Sequence, residues 1–272
     1  MSALATLDIP PIGWLVLGLS ALVIGVAKAS IGGVAALSVA GFALFIPTRE
    51  STAAVLILLL VGDLVAVGLY RRSADLAMLR RLLPSVLPGI VLGALLINVV
   101  DDRTLTIVIA LCILAALGVQ LWLRRRPAPA APDAAHVRGT TGATALPPAG
   151  SPHLAATLGA GAAAGFATMI ANAAGPVMAA YLLAARVDKA RFVGTNAWFF
   201  LLVNAAKVPF SAGLGLFPPS TLQLTLVLVP VVLLGAWFGR KLLRAIDQRR
   251  FELLTASASL VAAAALLARA AV

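Results

Sequence analysis

The feature that most constrains this chain is a series of uncharged apolar stretches, each long enough to cross a lipid bilayer. A hydrocarbon core about 30 Å thick requires roughly 20 helical residues. The apolar residues are continuous rather than alternating, which is typical of membrane helices and not of membrane β-strands. The pattern therefore predicts an all-α integral membrane protein, whose uncharged stretches include residues 82–100, 105–123, 154–185 and 208–239.

Two of the apolar segments are interrupted at their centres by small and polar residues. The first break, residues 28–33, reads KASIGG, and the second, residues 171–176, reads ANAAGP. Irregular backbone is tolerated at membrane depth only where it is buried in protein or lines a cavity. A pair of such breaks at matching places in two halves of a chain is typical of transporter binding sites. We therefore expect the functional site at these two breaks.

Charge and cysteine content argue against several other classes of function. The formal net charge of +11 comes mostly from short basic blocks between the apolar stretches, which indicates membrane topology rather than nucleic-acid binding. Cys112 is the single cysteine, and His136 and His153 are the only histidines. The sequence has no zinc-protease motif, no cysteine pair and no histidine within an apolar stretch. It therefore predicts neither a membrane enzyme nor a cofactor or metal site.

The order of the segments indicates two similar halves, residues 1–123 and 154–272, joined by a linker at 124–153 that is rich in Pro, Ala and Arg. Asp63 and Asn204, each deep in the helix after a break, match at a spacing of 141 residues. Each half is predicted to hold one broken helix and three further helices. The predicted segments are a broken helix at about 12–46, helices near 51–70, 80–98 and 104–123, a second broken helix at about 154–185, and helices near 192–210, 220–241 and 251–269.

The distribution of basic residues predicts how the halves are oriented. Four blocks, residues 71–81, 124–138, 186–191 and 240–250, hold 16 of the 21 basic residues. Basic residues accumulate in cytoplasmic loops, and all four blocks lie on one side if the second broken segment is a re-entrant hairpin. By repeat symmetry, each half then has one hairpin and three crossing helices, so the repeats are inverted and comprise about eight membrane segments. Residues 12–31 alone are long enough to span, so a conventional eight-helix arrangement is the alternative.

The residues at the breaks favour an anion. Each break is predicted to start a second half-helix, where Gly32 and Gly33 allow a sharp turn and a proline directly after Gly175 suits the first helical position. The free N–H groups and positive dipole end of a helix N-terminus attract negative charge. Lys28 adds a full positive charge nearby. We therefore predict a binding site for a small anion at Lys28, Gly32, Gly33 and Gly175.

Asp63 is the candidate coupling residue. It is the only ionisable group in its apolar helix, and an intramembrane carboxylate is a candidate proton carrier or partner of a cation. A structural pair with Lys28 is the alternative. Lys207 lies near the end of its predicted helix and is expected to extend its amine to the membrane surface.

Further polar residues in the second half are candidates for the same site. Amides and hydroxyls within membrane helices either bind a ligand or link neighbouring helices by hydrogen bonds. Both interpretations stay open for Asn172, Thr195, Asn196 and Asn204.

Seven short motifs carry a resemblance to a known family. The first half contains GVAKASIGG at 25–33, PTRESTAA at 47–54 and VGDLVAVGLYRR at 61–72. The second half contains MIANAAGP at 169–176, YLLA at 181–184, VGTNAWFF at 193–200 and VNAAKVP at 203–209. Together these motifs resemble the sulfite exporter TauE/SafE family of membrane proteins, over nearly the whole chain apart from the linker.

The resemblance implies a secondary transporter that exports sulfite or a small organosulfonate across the bacterial inner membrane, coupled to ions, with protons as the candidate. The implied partners are thus a small anion, coupling protons and the lipid bilayer, with the linker cytoplasmic. A passive anion channel and a transporter of another small organic anion are the alternatives. The oligomeric state, a homodimer among the candidates, is left open by the sequence.

Overall fold

The computed structural model describes residues 9–29, 35–125, 154–185, 187, 189–245 and 248–271. Two parts of the predictions lie outside the described residues: Gly32 and Gly33 of the first break, and residues 126–153 of the linker. All regular structure in the described part is helical, which confirms the predicted all-α class. Its α-helices are α1 (Pro11–Ala29), α2 (Ala35–Ala43), α3 (Thr48–Tyr70), α4 (Leu76–Val99), α5 (Asp102–Arg125), α6 (Leu154–Ala171), α7 (Gly175–Ala184), α8 (Lys189–Gly213), α9 (Pro219–Ala245) and α10 (Gln248–Ala271).

Membrane-spanning capacity follows from the length and composition of these helices. Within the described residues, five helices are long and apolar enough to cross a bilayer. α8 is also long, with 25 residues, but it carries Asn196, Asn204 and Lys207. The chain is thus a multi-pass membrane protein, while the predicted total of about eight membrane segments stays a prediction. The five spans are Pro11–Lys28, Thr48–Ser73, Leu76–Val99, Asp102–Trp122 and Pro219–Gly239.

The second predicted break separates two helices. α6 ends at Ala171 and α7 begins at Gly175. Between them Asn172 has a φ of 51°, in the left-handed region, and its backbone N–H donates to the Thr168 carbonyl oxygen at 3.0 Å. Asparagine tolerates this conformation better than most residues, and a left-handed residue is a common end to a helix. Asn172 therefore terminates α6. In the first half, α1 and α2 are likewise separate helices on either side of residues 30–34.

Glycines let the helix before each break approach a helix of the other half closely. A Cβ atom added to Gly25 of α1 would lie 2.1 Å from the Val232 carbonyl oxygen of α9. A Cβ atom added to Gly165 of α6 would also lie 2.1 Å from a carbonyl oxygen, that of Val86 in α4. Small residues at membrane helix contacts allow such close backbone packing. α1 therefore packs tightly on α9, and α6 packs tightly on α4.

Two helices occupy the interior and position the candidate site. α3 is the most buried of the five spanning helices, with 61% of its span inside the protein. It contacts α1, α2, α8 and α9, whereas α5 contacts α7 and α10 at the periphery. Because Asp63 belongs to α3 and Asn204 to α8, the contact between these helices brings both residues to the centre of the fold.

Candidate functional site

Lys28 and Asp63 form a buried ion pair. Lys28 lies in the last turn of α1, and its Nζ donates to Oδ1 of Asp63 at 2.5 Å. The side chains are only 10% and 1% exposed. A Cβ atom on Gly62 would lie 2.8 Å from Cγ of Lys28, so the glycine makes room for the lysine stem. The pairing that the sequence left as an alternative for Asp63 is therefore present.

Two further side chains complete the surroundings of this pair. Nζ of Lys28 lies 4.3 Å from the centre of the Phe200 ring, a cation–π contact that stabilises the ammonium. Nδ2 of Asn204 donates to Oδ2 of Asp63 at 2.7 Å. Each carboxylate oxygen thus accepts a hydrogen bond, one from the first half of the chain and one from the second. Oδ1 of Asn204 is buried, and no described residue donates to it.

The second break holds a separate group of polar contacts around Asn172. Its Nδ2 donates to the Thr52 carbonyl oxygen of α3 at 3.2 Å, and its Oδ1 accepts from Nζ of Lys207. The same Nζ donates to the Thr168 carbonyl oxygen at 2.6 Å and lies 3.3 Å from Oγ1 of Thr168. The amine of Lys207 therefore donates to oxygen atoms at the C-terminal end of α6, and Asn172 ties the break to α3.

The buried position of Lys207 corrects one expectation. The sequence predicted that its amine extends to the membrane surface, but the residue is 2% exposed. α8 continues for six residues beyond it, to Gly213, and the amine turns inward to the oxygen atoms at the break. The sequence contained a signal for this inward position of Lys207. Thr168 and Asn172 place oxygen acceptors in an apolar region, where buried acceptors require a hydrogen-bond donor. The predicted site also lacked four residues that take part in these contacts: Thr52, Gly62, Thr168 and Phe200.

α8 connects the two groups of contacts. Asn204 and Lys207 are three residues apart on α8, a rise of about 4.5 Å. Asn204 contacts Asp63 of α3, whereas Lys207 contacts Asn172, whose side chain bonds to Thr52 of α3. Thr52 and Asp63 are eleven residues apart, or about 16 Å along the axis of α3. Asn204, Lys207 and Asp63 are nevertheless all buried together in this part of the fold. The candidate site is therefore an elongated region between α3 and α8, with the amine of Lys28 towards one end and the amine of Lys207 towards the other.

Two predicted site residues lie elsewhere on α8. Oγ1 of Thr195 is buried and accepts a hydrogen bond of 2.9 Å from the backbone N–H of Asp75. Asn196 follows it and is half-buried. Thr195 and Asn204 are nine residues apart, about 13 Å along α8, and the Thr195 hydroxyl is engaged with α4. Thr195 thus links α8 to the start of α4. The role of Asn196 in the site stays a prediction.

Gly175 begins α7 three residues after Asn172, so the N-terminal N–H groups of α7 adjoin the second group of contacts. Gly32 and Gly33 lie outside the described residues, so the corresponding turn of the first half stays a prediction. In the described part of the chain, no group of three or more His, Cys, Asp or Glu residues is arranged to hold a metal ion. The described chemistry at the breaks consists of lysine amines, amides, hydroxyls, backbone groups and one carboxylate.

Comparison with known proteins gives one match. The family model "Sulfite exporter TauE/SafE" matches residues 17–266. The match includes both breaks and all the side chains in the two groups of contacts, and it confirms the resemblance seen in the motifs. No curated protein and no solved structure matches the chain.

Proposed function

Because the chain belongs to the sulfite exporter TauE/SafE family, we propose that it is a secondary transporter that exports a small sulfur-containing anion, sulfite or an organosulfonate. The observation that carries the proposal is the buried Lys28–Asp63 pair at the end of α1, beside the first break. Ionisable residues inside a membrane protein are costly and typically mark ion pathways or proton relays. A buried lysine can bind an anion and the carboxylate beside it can carry a proton, and proton-coupled anion transport combines these two roles.

The substrate binds between the two breaks. An ammonium carries three donors, and among the described residues Asp63 is the one hydrogen-bond acceptor of Lys28. The remaining donors are directed to an oxyanion. The N-terminal end of α7, beginning at Gly175 beside the second break, adds backbone N–H groups. Asn172 and Asn204 hold these elements against α3, so the binding site is organised before the anion arrives.

Asp63 couples the anion to a proton. Its carboxylate and an incoming anion compete for the same Lys28 ammonium. Protonation of Asp63 removes the competing negative charge and releases Lys28 for the anion. Binding of the proton and binding of the anion therefore favour each other, and this mutual effect is the thermodynamic basis of coupling.

The architecture that suits this function is a pair of inverted repeats, residues 1–123 and 154–272, with about eight membrane segments. Exchanging the halves maps α1 onto α6, α4 onto α9 and α2 onto α7. The same exchange maps α5 onto α10. The contacts agree with it: α1 packs on α9 and α6 packs on α4, while α2 packs on α10 and α7 packs on α5. Such pairs support alternating access by rocking one group of helices against the other.

The topology follows from the positive charges. With the four basic blocks in the cytoplasm, the linker at 124–153 is cytoplasmic and the protein lies in the bacterial inner membrane. The membrane potential then favours export whenever the anion carries more negative charge than the protons that leave with it, because each net negative charge that leaves a cell with a negative interior gains about 2.3 kcal/mol per 100 mV.

Uphill sulfite transport tests the function. The purified protein is reconstituted in proteoliposomes with equal sulfite on both sides, the membrane potential is clamped at zero, and a pH gradient is imposed. A proton-coupled transporter accumulates sulfite on one side, with rates that saturate as sulfite rises. Sulfite distribution that stays at equilibrium while labelled sulfite still exchanges indicates a passive channel. Exchange of carboxylates but not of sulfite indicates a transporter of another organic anion.

A further inference from the structure

A groove between α4 and α8, which we call the α4–α8 groove, opens at the outer surface of the protein. Nine residues line it and enclose about 350 Å³; Arg80 is the one charged residue among them, and the other eight are apolar. Leu87 and Leu202 at its rim are exposed, whereas Ile90 and Val203 at its floor are buried. Because α4 is one of the spanning helices, the apolar rim faces lipid. The groove therefore suits an acyl chain better than water or a small ion.

The length of the groove matches one leaflet of a bilayer. Arg80 and Ile90 are ten residues apart on α4, or about 15 Å along its axis, which is half of a hydrocarbon core of about 30 Å. Ile90 lies near the middle of the span Leu76–Val99. The groove thus runs from a basic end near the membrane surface to an apolar end near the bilayer midplane. A phospholipid has the same division, with a charged headgroup at the surface and acyl chains that reach the midplane.

The basic end is complementary to an anionic headgroup. Arg80 is exposed, and no described carboxylate forms an ion pair with it. A guanidinium binds a phosphate through two parallel hydrogen bonds. Pro84 has no N–H to donate to the carbonyl oxygen of Arg80, so this oxygen lacks its usual helical donor and can accept from a headgroup hydroxyl.

The position of Arg80 in the proposed topology also favours an anionic lipid. Arg80 belongs to the basic block 71–81, which faces the cytoplasm in that topology. The cytoplasmic leaflet is the one that carries negative surface charge, and basic pockets between membrane helices on this side bind anionic headgroups.

The inner end of the groove lies against the turn of α8 that carries two residues of the candidate site. The lining residue Val203 directly precedes Asn204, and the lining residue Ala206 directly precedes Lys207. Nearer its start, α8 is attached to the start of α4 by the hydroxyl of Thr195. Beyond that attachment, an acyl chain in the groove fills the space between the two helices and supports the turn at Asn204 and Lys207.

We propose that the α4–α8 groove binds one molecule of an anionic phospholipid, phosphatidylglycerol, with its phosphate on Arg80 and an acyl chain between Leu87, Ile90 and Val203. The bound lipid positions α8 and thereby the side chains that α8 contributes to the candidate site. Lipid binding is independent of the transported solute, whereas its effect on transport rests on the proposed function.

Native mass spectrometry of the full-length protein tests the headgroup end. Phosphatidylglycerol and phosphatidylcholine with the same acyl chains are added in equal amounts to the detergent-purified protein, which is expected to retain one phosphatidylglycerol in preference. Arg80→Gln is expected to reduce this preference about fivefold, the usual contribution of one basic residue to the attraction of anionic lipid. Arg81→Gln is the matched control, because Arg81 is also exposed but does not line the groove. It is expected to keep the preference.

The acyl-chain end is tested with a second pair of variants. Ala206→Phe places a ring in the groove and is expected to displace the lipid, whereas Ala205→Phe adds the same ring at an exposed position that does not line the groove and is expected to retain it. If Ala206→Phe does not fold, Arg80→Gln still tests the proposal, because its side chain is exposed.

Three results overturn the lipid site. Equal retention of the two lipids by the unmodified protein removes the selection of an anionic headgroup. The same phosphatidylglycerol preference in Arg80→Gln and Arg81→Gln removes Arg80 from the site. If no lipid is retained and Ala206→Phe instead disrupts a dimer of the unmodified protein, the groove is an interface between two copies of the chain.

Sulfite efflux measures the effect of the bound lipid on transport. Proteoliposomes of phosphatidylcholine alone are compared with proteoliposomes that also contain phosphatidylglycerol. The lipid is expected to accelerate efflux by the unmodified protein and by Arg81→Gln, and to accelerate it less for Arg80→Gln. Equal acceleration of Arg80→Gln and Arg81→Gln overturns the positioning role. If phosphatidylglycerol is retained as expected but sulfite does not cross in either membrane, the proposed function fails and the lipid site stands.

Discussion

Asn204 donates a hydrogen bond of 2.7 Å from Nδ2 to Oδ2 of Asp63 and so joins two residues that are 141 positions apart. In the predicted repeats the two residues occupy corresponding places, yet one carries a carboxylate and the other an amide. The same carboxylate accepts from Lys28 through its other oxygen. Any movement of α8 relative to α3 therefore changes the surroundings of Asp63, which links a rearrangement of the halves to the group proposed to carry the proton.

Lys28→Ala is predicted to reduce anion affinity by about 10- to 100-fold, the effect of losing a hydrogen bond to a charged group. It also leaves the Asp63 carboxylate buried without its cation, which typically costs about 3–5 kcal/mol of stability. The double variant Lys28→Ala/Asp63→Asn is therefore expected to recover stability but not anion affinity. Calorimetric titration and thermal unfolding in detergent measure the two effects separately. Unchanged affinity in the double variant would remove Lys28 from the binding site.

Asp63→Asn is predicted to leave anion binding in place and to abolish the dependence of transport on a pH gradient. The amide cannot carry a proton, and Lys28 no longer has a carboxylate that competes with the substrate. The measurement compares initial sulfite flux in proteoliposomes with and without an imposed pH gradient. If flux in this variant still responds to the pH gradient as in the unmodified protein, Asp63 is not the proton carrier.

Gly25→Ala and Gly165→Ala are predicted to destabilise the protein by about 1–3 kcal/mol, the usual cost of overpacking. Each added Cβ would lie 2.1 Å from a backbone carbonyl oxygen of the facing helix, too close for side-chain movement to relieve. Gly18→Ala, on the same helix as Gly25 but with open space around its Cβ position, is the matched control. It is expected to be neutral or slightly stabilising. Equal unfolding temperatures for Gly25→Ala and Gly18→Ala would contradict the close packing of α1 on α9.

Asn172 is predicted to have separable backbone and side-chain roles. Asn172→Ala forces a residue that resists the left-handed conformation into a φ of 51° and is expected to cost about 1–2 kcal/mol from the backbone alone. Asn172→Gly keeps this conformation and removes only the contacts with Thr52 and Lys207. The glycine variant is thus expected to be more stable than the alanine variant and still impaired in sulfite flux. Full flux in the glycine variant would assign Asn172 a purely structural role.

Local chemistry made part of this site predictable from the sequence. Asn, Gly and Pro at 171–176 identify a helix break because each has a backbone preference that needs no tertiary information. The correspondence of Asp63 with Asn204 followed from spacing along the two halves. The family resemblance, read from short motifs, was confirmed by the match over residues 17–266.

Other parts of the site depend on packing that the sequence does not display. The depth of Lys207 is set by how α8 lies against the end of α6, and a helical position alone does not determine it. Thr195 resembled a ligand-binding residue in the sequence, but its hydroxyl accepts from Asp75, a contact between helices that are distant in the chain. The unsatisfied Oδ1 of Asn204 likewise becomes visible only once all neighbouring groups are in place.

The most direct test of the account is the rate of sulfite efflux from proteoliposomes containing Lys28→Ala/Asp63→Asn. This double variant removes one positive and one negative charge together, so it removes the lysine contact without changing the net charge of the protein. The account predicts saturable efflux for the unmodified protein and for the control Arg269→Gln, which removes one charge from an exposed position on α10. Efflux is expected to be reduced at least about tenfold in the folded double variant. Efflux by the double variant at the unmodified rate would contradict a transport site built around Lys28.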